Sequence, residues 1–183
     1  MDELSGFVSD VDPDIILLCE TWCNDNVTNA FLNLPGFDLI TDLRKDRTDT
    51  QLGKGGGLLV YAKPQICILP CDKNYDFNQY CRFEVTHGKE KWLLTLVSRP
   101  PSSPPANCEL LLELLEGLPP NSLLVGDFNY PYIDWASLTT TVRGKTFIEK
   151  CNEQLLEQLV TFPTHTKGNI LDLVLCNNPQ KKF

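Results

Sequence analysis

Gly126-Asp127-Phe128-Asn129 closes the apolar run Ser122-Leu123-Leu124-Val125, so a carboxylate and a carboxamide stand two residues apart at a strand end. Their chemistry is complementary: the carboxylate accepts a proton or hydrogen bond, and the amide donates without adding negative charge. A strand tip of this kind either makes a turn or does chemistry. Two more acids occupy comparable positions. Asp14-Ile15-Ile16-Leu17-Leu18-Cys19 runs into Glu20-Thr21-Trp22, and Asp172 lies within Ile170-Leu171-Asp172-Leu173-Val174-Leu175. An acid inside an apolar strand needs a partner or a task. Three strands with acids at their ends imply a converging polar site.

The positioning elements are legible in the apolar periodicity. Leu4, Phe7, Val8 and Val11 have helical spacing, so an amphipathic helix precedes strand 14–19. A short helical turn fits Thr28 to Leu34, and Phe37 to Arg47 reads as a strand running into a charged loop. Further strands are expected at 58–63, 66–69, 80–86 and 91–98, the last two joined by the hairpin signal His87-Gly88-Lys89-Glu90. Gly53-Lys54-Gly55-Gly56-Gly57 lacks the Ser or Thr of a phosphate-binding loop and leads into a strand, so a tight turn is the better reading. Asn107 is expected to cap a helix through Leu118, and Gly144 to Val160 reads as a helix with Phe147, Ile148, Cys151, Leu155 and Leu159 inward. Tyr130 to Trp135 forms a loop, and a strand over 169–176 ends the pattern. Many hairpin strands with a few helices argue for two packed sheets flanked by helices.

The 183 residues fit one domain, 1–183, with 42% hydrophobic and 22% charged residues. Neither a membrane-spanning apolar run nor a secretory leader is visible, which reads as an intracellular, cytoplasmic or nuclear chain without membrane contact. The eight cysteines form no C-x-x-C pair, and with two histidines they argue against structural zinc. A net charge of −8 is unfavourable for phosphate binding, although residues 51–106 carry seven bases against four acids. Any nucleic-acid binding is therefore expected to be weak and lost at moderate salt.

Five strings in order carry a resemblance: Pro13-Asp14-Ile15-Ile16 with Glu20-Thr21-Trp22; Gly55-Gly56-Gly57-Leu58-Leu59-Val60-Tyr61; Arg99-Pro100-Pro101; Gly126-Asp127-Phe128-Asn129-Tyr130-Pro131 with Ile133-Asp134-Trp135; and Pro163-Thr164-His165 with Leu171-Asp172-Leu173-Val174. Together they resemble the endonuclease/exonuclease/phosphatase superfamily, in particular the apurinic-endonuclease-like domain of non-LTR retrotransposons. The resemblance implies a deoxyribonuclease-I-like four-layer α/β sandwich of two mostly antiparallel sheets, and Mg²⁺-dependent hydrolysis of DNA phosphodiesters, with Mn²⁺ as a possible substitute. Glu20 matches the metal-binding glutamate. Asp127 and Asn129 match the pair that orients the attacking water and holds a phosphate oxygen, and Asp172 matches the acid that fixes the catalytic histidine's tautomer.

Departures from the pattern imply a fragment with little or no activity. The family's first strand, bearing an asparagine, and its last, a Ser-Asp-His strand, fall outside residues 1–183. Ser98 replaces the tyrosine that precedes Arg-Pro-Pro, a degenerate position. Loss of a positioned acid or base alone removes on the order of 10²–10⁴-fold in rate. A non-catalytic binding module on the same scaffold is the alternative, and a phosphoinositide or sphingomyelin phosphodiesterase a further one.

Overall fold

The computed structural model describes residues 2–46, 56–71, 77, 79–87, 89–101 and 103–180. Helix α1 (Asp2–Val11) leads into β1 (Ile15–Cys19); β2 (Asp38–Leu39) and β3 (Leu58–Ala62) complete a three-stranded antiparallel sheet in the order β1-β3-β2. The second sheet has the order β4-β5-β6-β7-β9-β8, from β4 (Ile68–Pro70), β5 (Tyr80–His87), β6 (Glu90–Ser98), β7 (Ser122–Asp127), β8 (Glu157–Gln158) and β9 (Asp172–Cys176). Among the described residues, only β6 and β7 pair in parallel, because α2 (Pro105–Leu114) lies in the crossover between them. Helix α3 (Val142–Glu153) follows β7.

Side-chain alternation sorts the core into three layers of contact. Ile15, Leu17 and Cys19 of β1, Leu58 and Val60 of β3, and Phe83, Trp92, Leu94, Leu96 and Leu123 of the second sheet fill the gap between the sheets. The intervening residues Ile16, Leu59 and Tyr61 meet Val8 of α1 on the outer face of the first sheet. Val97, Leu124, Leu173 and Leu175 face the other way, onto Leu111 and Leu114 of α2 and Phe147 of α3. The order is helix, sheet, sheet, helices, the sandwich expected from the sequence. Each fully buried Leu or Phe contributes roughly 1.5–3 kcal/mol by leaving water. Gly126 is a restrictive backbone position: it has φ +138°, and a Cβ there would lie 1.9 Å from the Val97 carbonyl oxygen.

Several expected boundaries are corrected. Asn107 does not cap α2; the helix begins at Pro105, whose absent N–H costs nothing in the first turn, while Asn107 Nδ2 donates to Ser103 Oγ. Helix α3 ends at Glu153, so Leu155 (78% exposed) and Leu159 do not point inward, and the chain turns into β8 instead. Phe7 and Val11 of α1 are exposed, leaving Val8 and Leu4 to anchor it. The expected strand 37–47 is two residues followed by a 3-10 turn at Thr41–Leu43, and Arg47 lies outside the described residues. Gly53 to Gly55 and Gly88 also lie outside them, although β5 and β6 pair as the hairpin signal requires.

Candidate functional site

The second sheet aligns three of the expected residues in one row. Ser98 pairs with Asp127 across β6 and β7, and Asp127 pairs with Asp172 across β7 and β9. By the alternation that sends Leu94, Leu96 and Leu123 into the inter-sheet gap, all three belong to the face turned toward the first sheet. Glu20 follows the last residue of β1 at that same rim. Ser98 Oγ donates to Glu20 Oε1 at 3.3 Å and so joins the two sheets across the site. Ser98, the degenerate position, thus has a definite partner, and that partner is Glu20.

Glu20 is held more firmly than a strand-end acid requires. Its Oε2 accepts from the Gly56 amide at 2.7 Å and from Trp22 Nε1 at 3.2 Å. The Thr21 and Trp22 amides donate to the Gly57 and Gly56 carbonyls, fastening the tip to the glycine turn before β3. These contacts sustain left-handed backbone at Glu20 (φ 55°) and Trp22 (φ 55°), conformations that cost L-residues roughly 1–2 kcal/mol each. Asn129 is a third such residue, at φ 51°; asparagine tolerates it better.

Asp127 and Asn129 form one unit. The Asn129 amide donates to Asp127 Oδ1 at 3.0 Å, and Asn129 Nδ2 to Oδ2 at 3.4 Å. Burial pushes the Asp127 carboxyl up to about 6, helped by the like charges of Asp172 and Glu20 and opposed by the Asn129 amide and, more distantly, Arg99. This mutual repulsion places Glu20, Asp127 and Asp172 in one electrostatic neighbourhood although they come from three strands. The neighbouring Cys19 thiol is pushed up to about 12, chiefly by burial.

Asp172 departs from expectation. It opens β9 and is exposed, not enclosed within an apolar strand. Its amide and that of Leu171 both donate to Thr164 Oγ1, at 3.0 and 2.9 Å. The Pro163-Thr164-His165 segment therefore shapes the start of β9. His165 itself is exposed and accepts from the Lys167 amide through Nδ1, a turn role.

Sequence reasoning missed the three donors to Glu20. The run of glycines before β3 was the available signal: without side chains, the chain can bring a backbone N–H against a carboxylate. Among the described residues, no group of three or more His, Cys, Asp or Glu side chains is placed to hold a metal ion. The oxygen donors still suit a hard cation with few protein ligands. Among the described residues Glu20 Oε1 has only the 3.3 Å hydroxyl as partner, and the repulsion on Asp127 is of the kind a cation relieves.

Comparison with known proteins agrees with this architecture. The endonuclease domain of TRAS1, a telomere-specific non-LTR retrotransposon, superposes with TM-score 0.67 at 14% identity, covering 97% of this chain and 78% of that one. An AP endonuclease from Archaeoglobus fulgidus gives 0.60 at 13% identity, covering 96% and 80%. The human Nocturnin catalytic domain, with bound sulfate, gives 0.60 at 13% identity, covering 97% and 75%. At such identities the likeness is one of fold. No curated protein sequence matches the chain. No helix among the described residues is long and apolar enough to cross a membrane. The Endonuclease/Exonuclease/phosphatase family model matches residues 1–182, and the chain belongs to that family.

Proposed function

We propose that residues 1–183 form one unit carrying the acidic half of a Mg²⁺-assisted DNA phosphodiesterase site of the non-LTR retrotransposon endonuclease type. The observation that supports this reading most is the row Ser98–Asp127–Asp172 facing Glu20 across the sandwich. Glu20 and Asp127 would hold the cation, which supplies charge neutralisation at the phosphate when bound. Asp127 accepts a proton from an attacking water while the Asn129 amide side chain donates to a phosphate oxygen. Ser98 and Gly56 orient Glu20 through their hydrogen bonds. Asp172 would orient an imidazole; among the described residues its carboxylate has no hydrogen-bonded partner, which supports low turnover by this chain alone. The net charge of −8 supports weak, salt-sensitive contact with DNA.

The test pairs cation binding with turnover. Titration with Mg²⁺, followed by calorimetry, should show weak binding that Glu20→Gln and Asp127→Asn each reduce. Supercoiled plasmid incubated with the chain and Mg²⁺ should remain at background nicking. Binding indifferent to both substitutions would refute the site. Robust relaxation, abolished by EDTA and by Asp127→Ala, would instead refute the low turnover.

A further inference from the structure

Exposed aromatic side chains stand at both ends of the acid row. Trp22 is 55% exposed, yet it is pinned: Nε1 donates to Glu20 Oε2 at 3.2 Å, and its amide donates to the Gly56 carbonyl at 2.9 Å. Glu20 is tied to Ser98, so the indole belongs to the Ser98 end of the row Ser98–Asp127–Asp172. At the other end, Phe162 is 64% exposed and lines, together with Asp172, a hollow of about 370 Å³ between β1 and β9. The row itself spans two strand spacings, about 10 Å, so the rings serve separate flat groups. Single exposed aromatics are ordinary, and Phe7 on α1 is one. Trp22 and Phe162 differ in sharing a site with the carboxylates of Glu20, Asp127 and Asp172, which sense one another's charge.

We infer, resting on the phosphodiesterase reading of the acid row for the place of the cleaved phosphate, that Trp22 and Phe162 are stacking platforms for unpaired nucleobases on either side of that phosphate. The substrate class is then single-stranded or locally opened DNA, not closed duplex. Every nucleobase has a π face, so stacking gives affinity without sequence choice. In closed duplex those faces are covered by neighbouring bases, and an indole reaches one only after the base is unpaired or extruded. The net charge of −8 leaves little cationic surface to hold phosphates, so contact through base faces carries a larger share of binding. The hydrogen bond to Glu20 fixes the indole before DNA arrives, and little rotamer freedom is lost when a base stacks on it.

The test uses the whole chain at low salt with EDTA, so that no cation is bound and no cleavage is read. A short oligothymidylate should quench the exposed indole, since Trp92 is buried and Trp135 packs against the core. By fluorescence anisotropy of the labelled oligonucleotide, it should bind about tenfold more tightly than a blunt duplex of the same length. Trp22→Leu and Phe162→Leu should each weaken that binding about tenfold, and Phe7→Leu should leave it unchanged. Trp22→Phe keeps a ring but loses the Nε1 donor, and should retain binding within about threefold. Absence of quenching, equal affinity for duplex, or a Trp22→Leu or Phe162→Leu chain that binds like the native one overturns the proposal. So does equal loss in Trp22→Phe and Trp22→Leu, which leaves the indole only its hydrogen bond to Glu20. Dimerisation of the native chain that both of these Leu variants abolish would give the rings to a second copy instead. Mg²⁺ binding is measured separately: its absence would refute the cation site and leave these affinities intact, whereas Mg²⁺ binding without quenching would refute the platforms alone.

Discussion

Asp127→Asn should make this protein more stable at neutral pH and no more stable in acid. The carboxyl is raised from 3.8 to about 6, first by burial and then by Asp172 and Glu20. A rise of this size corresponds to about 3 kcal/mol between protonation states. Asp127 is only half-buried, so solvent screening reduces the usable figure to roughly 1–2 kcal/mol. Below pH 3.8 the carboxyl is protonated in both the folded and the unfolded chain, and it contributes nothing. Between 3.8 and about 6 the folded chain binds the extra proton, so stability falls as pH rises, and above 6 the full penalty is present. Asparagine removes the charge, retains an oxygen to accept the Asn129 amide, and sets its own Nδ2 near that of Asn129, a minor loss at 3.4 Å. For a chain of 183 residues, 1–2 kcal/mol moves Tm by about 2–8 °C. Paired thermal melts at pH 7.5 and pH 3.5 should show the gain only at the higher pH. A variant that is no more stable at pH 7.5, or equally stabilised at both, refutes the account of a carboxyl raised by burial and neighbouring charge.

Two substitutions test the frame behind it. Gly126→Ala places a methyl 1.9 Å from the Val97 carbonyl oxygen at φ +138°, and should cost roughly 3 kcal/mol or more, measured by urea unfolding. Phe147→Ala removes the ring that stacks on Tyr130 at 4.4 Å and packs beside Phe128, and should cost about 3–5 kcal/mol by the same measurement; a loss below 1 kcal/mol would show that the helix-side cluster is not continuous with the strand tip.

The sheets were legible because their signal is local. Leu123-Leu124-Val125 and Ile15 to Cys19 are short apolar runs bounded by acids and turn residues, and both are strands. Helix ends were less legible. Leu155 and Leu159 continue a helical spacing beyond Glu153, but the chain has turned before reaching them, so periodicity alone placed exposed side chains inside. Glu20 and Asp127 could be singled out because carboxylates at strand ends are unusual in kind. The ring of donors around Glu20 was missed: the glycine run was its one local trace, and Gly56 and Ser98 are 36 and 78 residues distant and act through a backbone amide and a small hydroxyl. Asp172 was misplaced because its neighbours are apolar, and only the pairing of β9 reveals it as the exposed first residue of its strand.

The row formed by Ser98, Asp127 and Asp172 also makes the site a check on strand register. Were β7 to slip by one residue against β6, Gly126 or Phe128 would stand opposite Ser98, and Asp127 would exchange faces with its neighbours. A compact chain with that error could still bury much of its Leu and Val, and bulk measures of collapse would not distinguish it. Its acids, however, would no longer gather opposite Glu20. A cation bound by Glu20 and Asp127 would therefore stabilise the correctly registered chain alone, by mass action and in proportion to its occupancy. On this account an ion held by that pair would also proofread the fold.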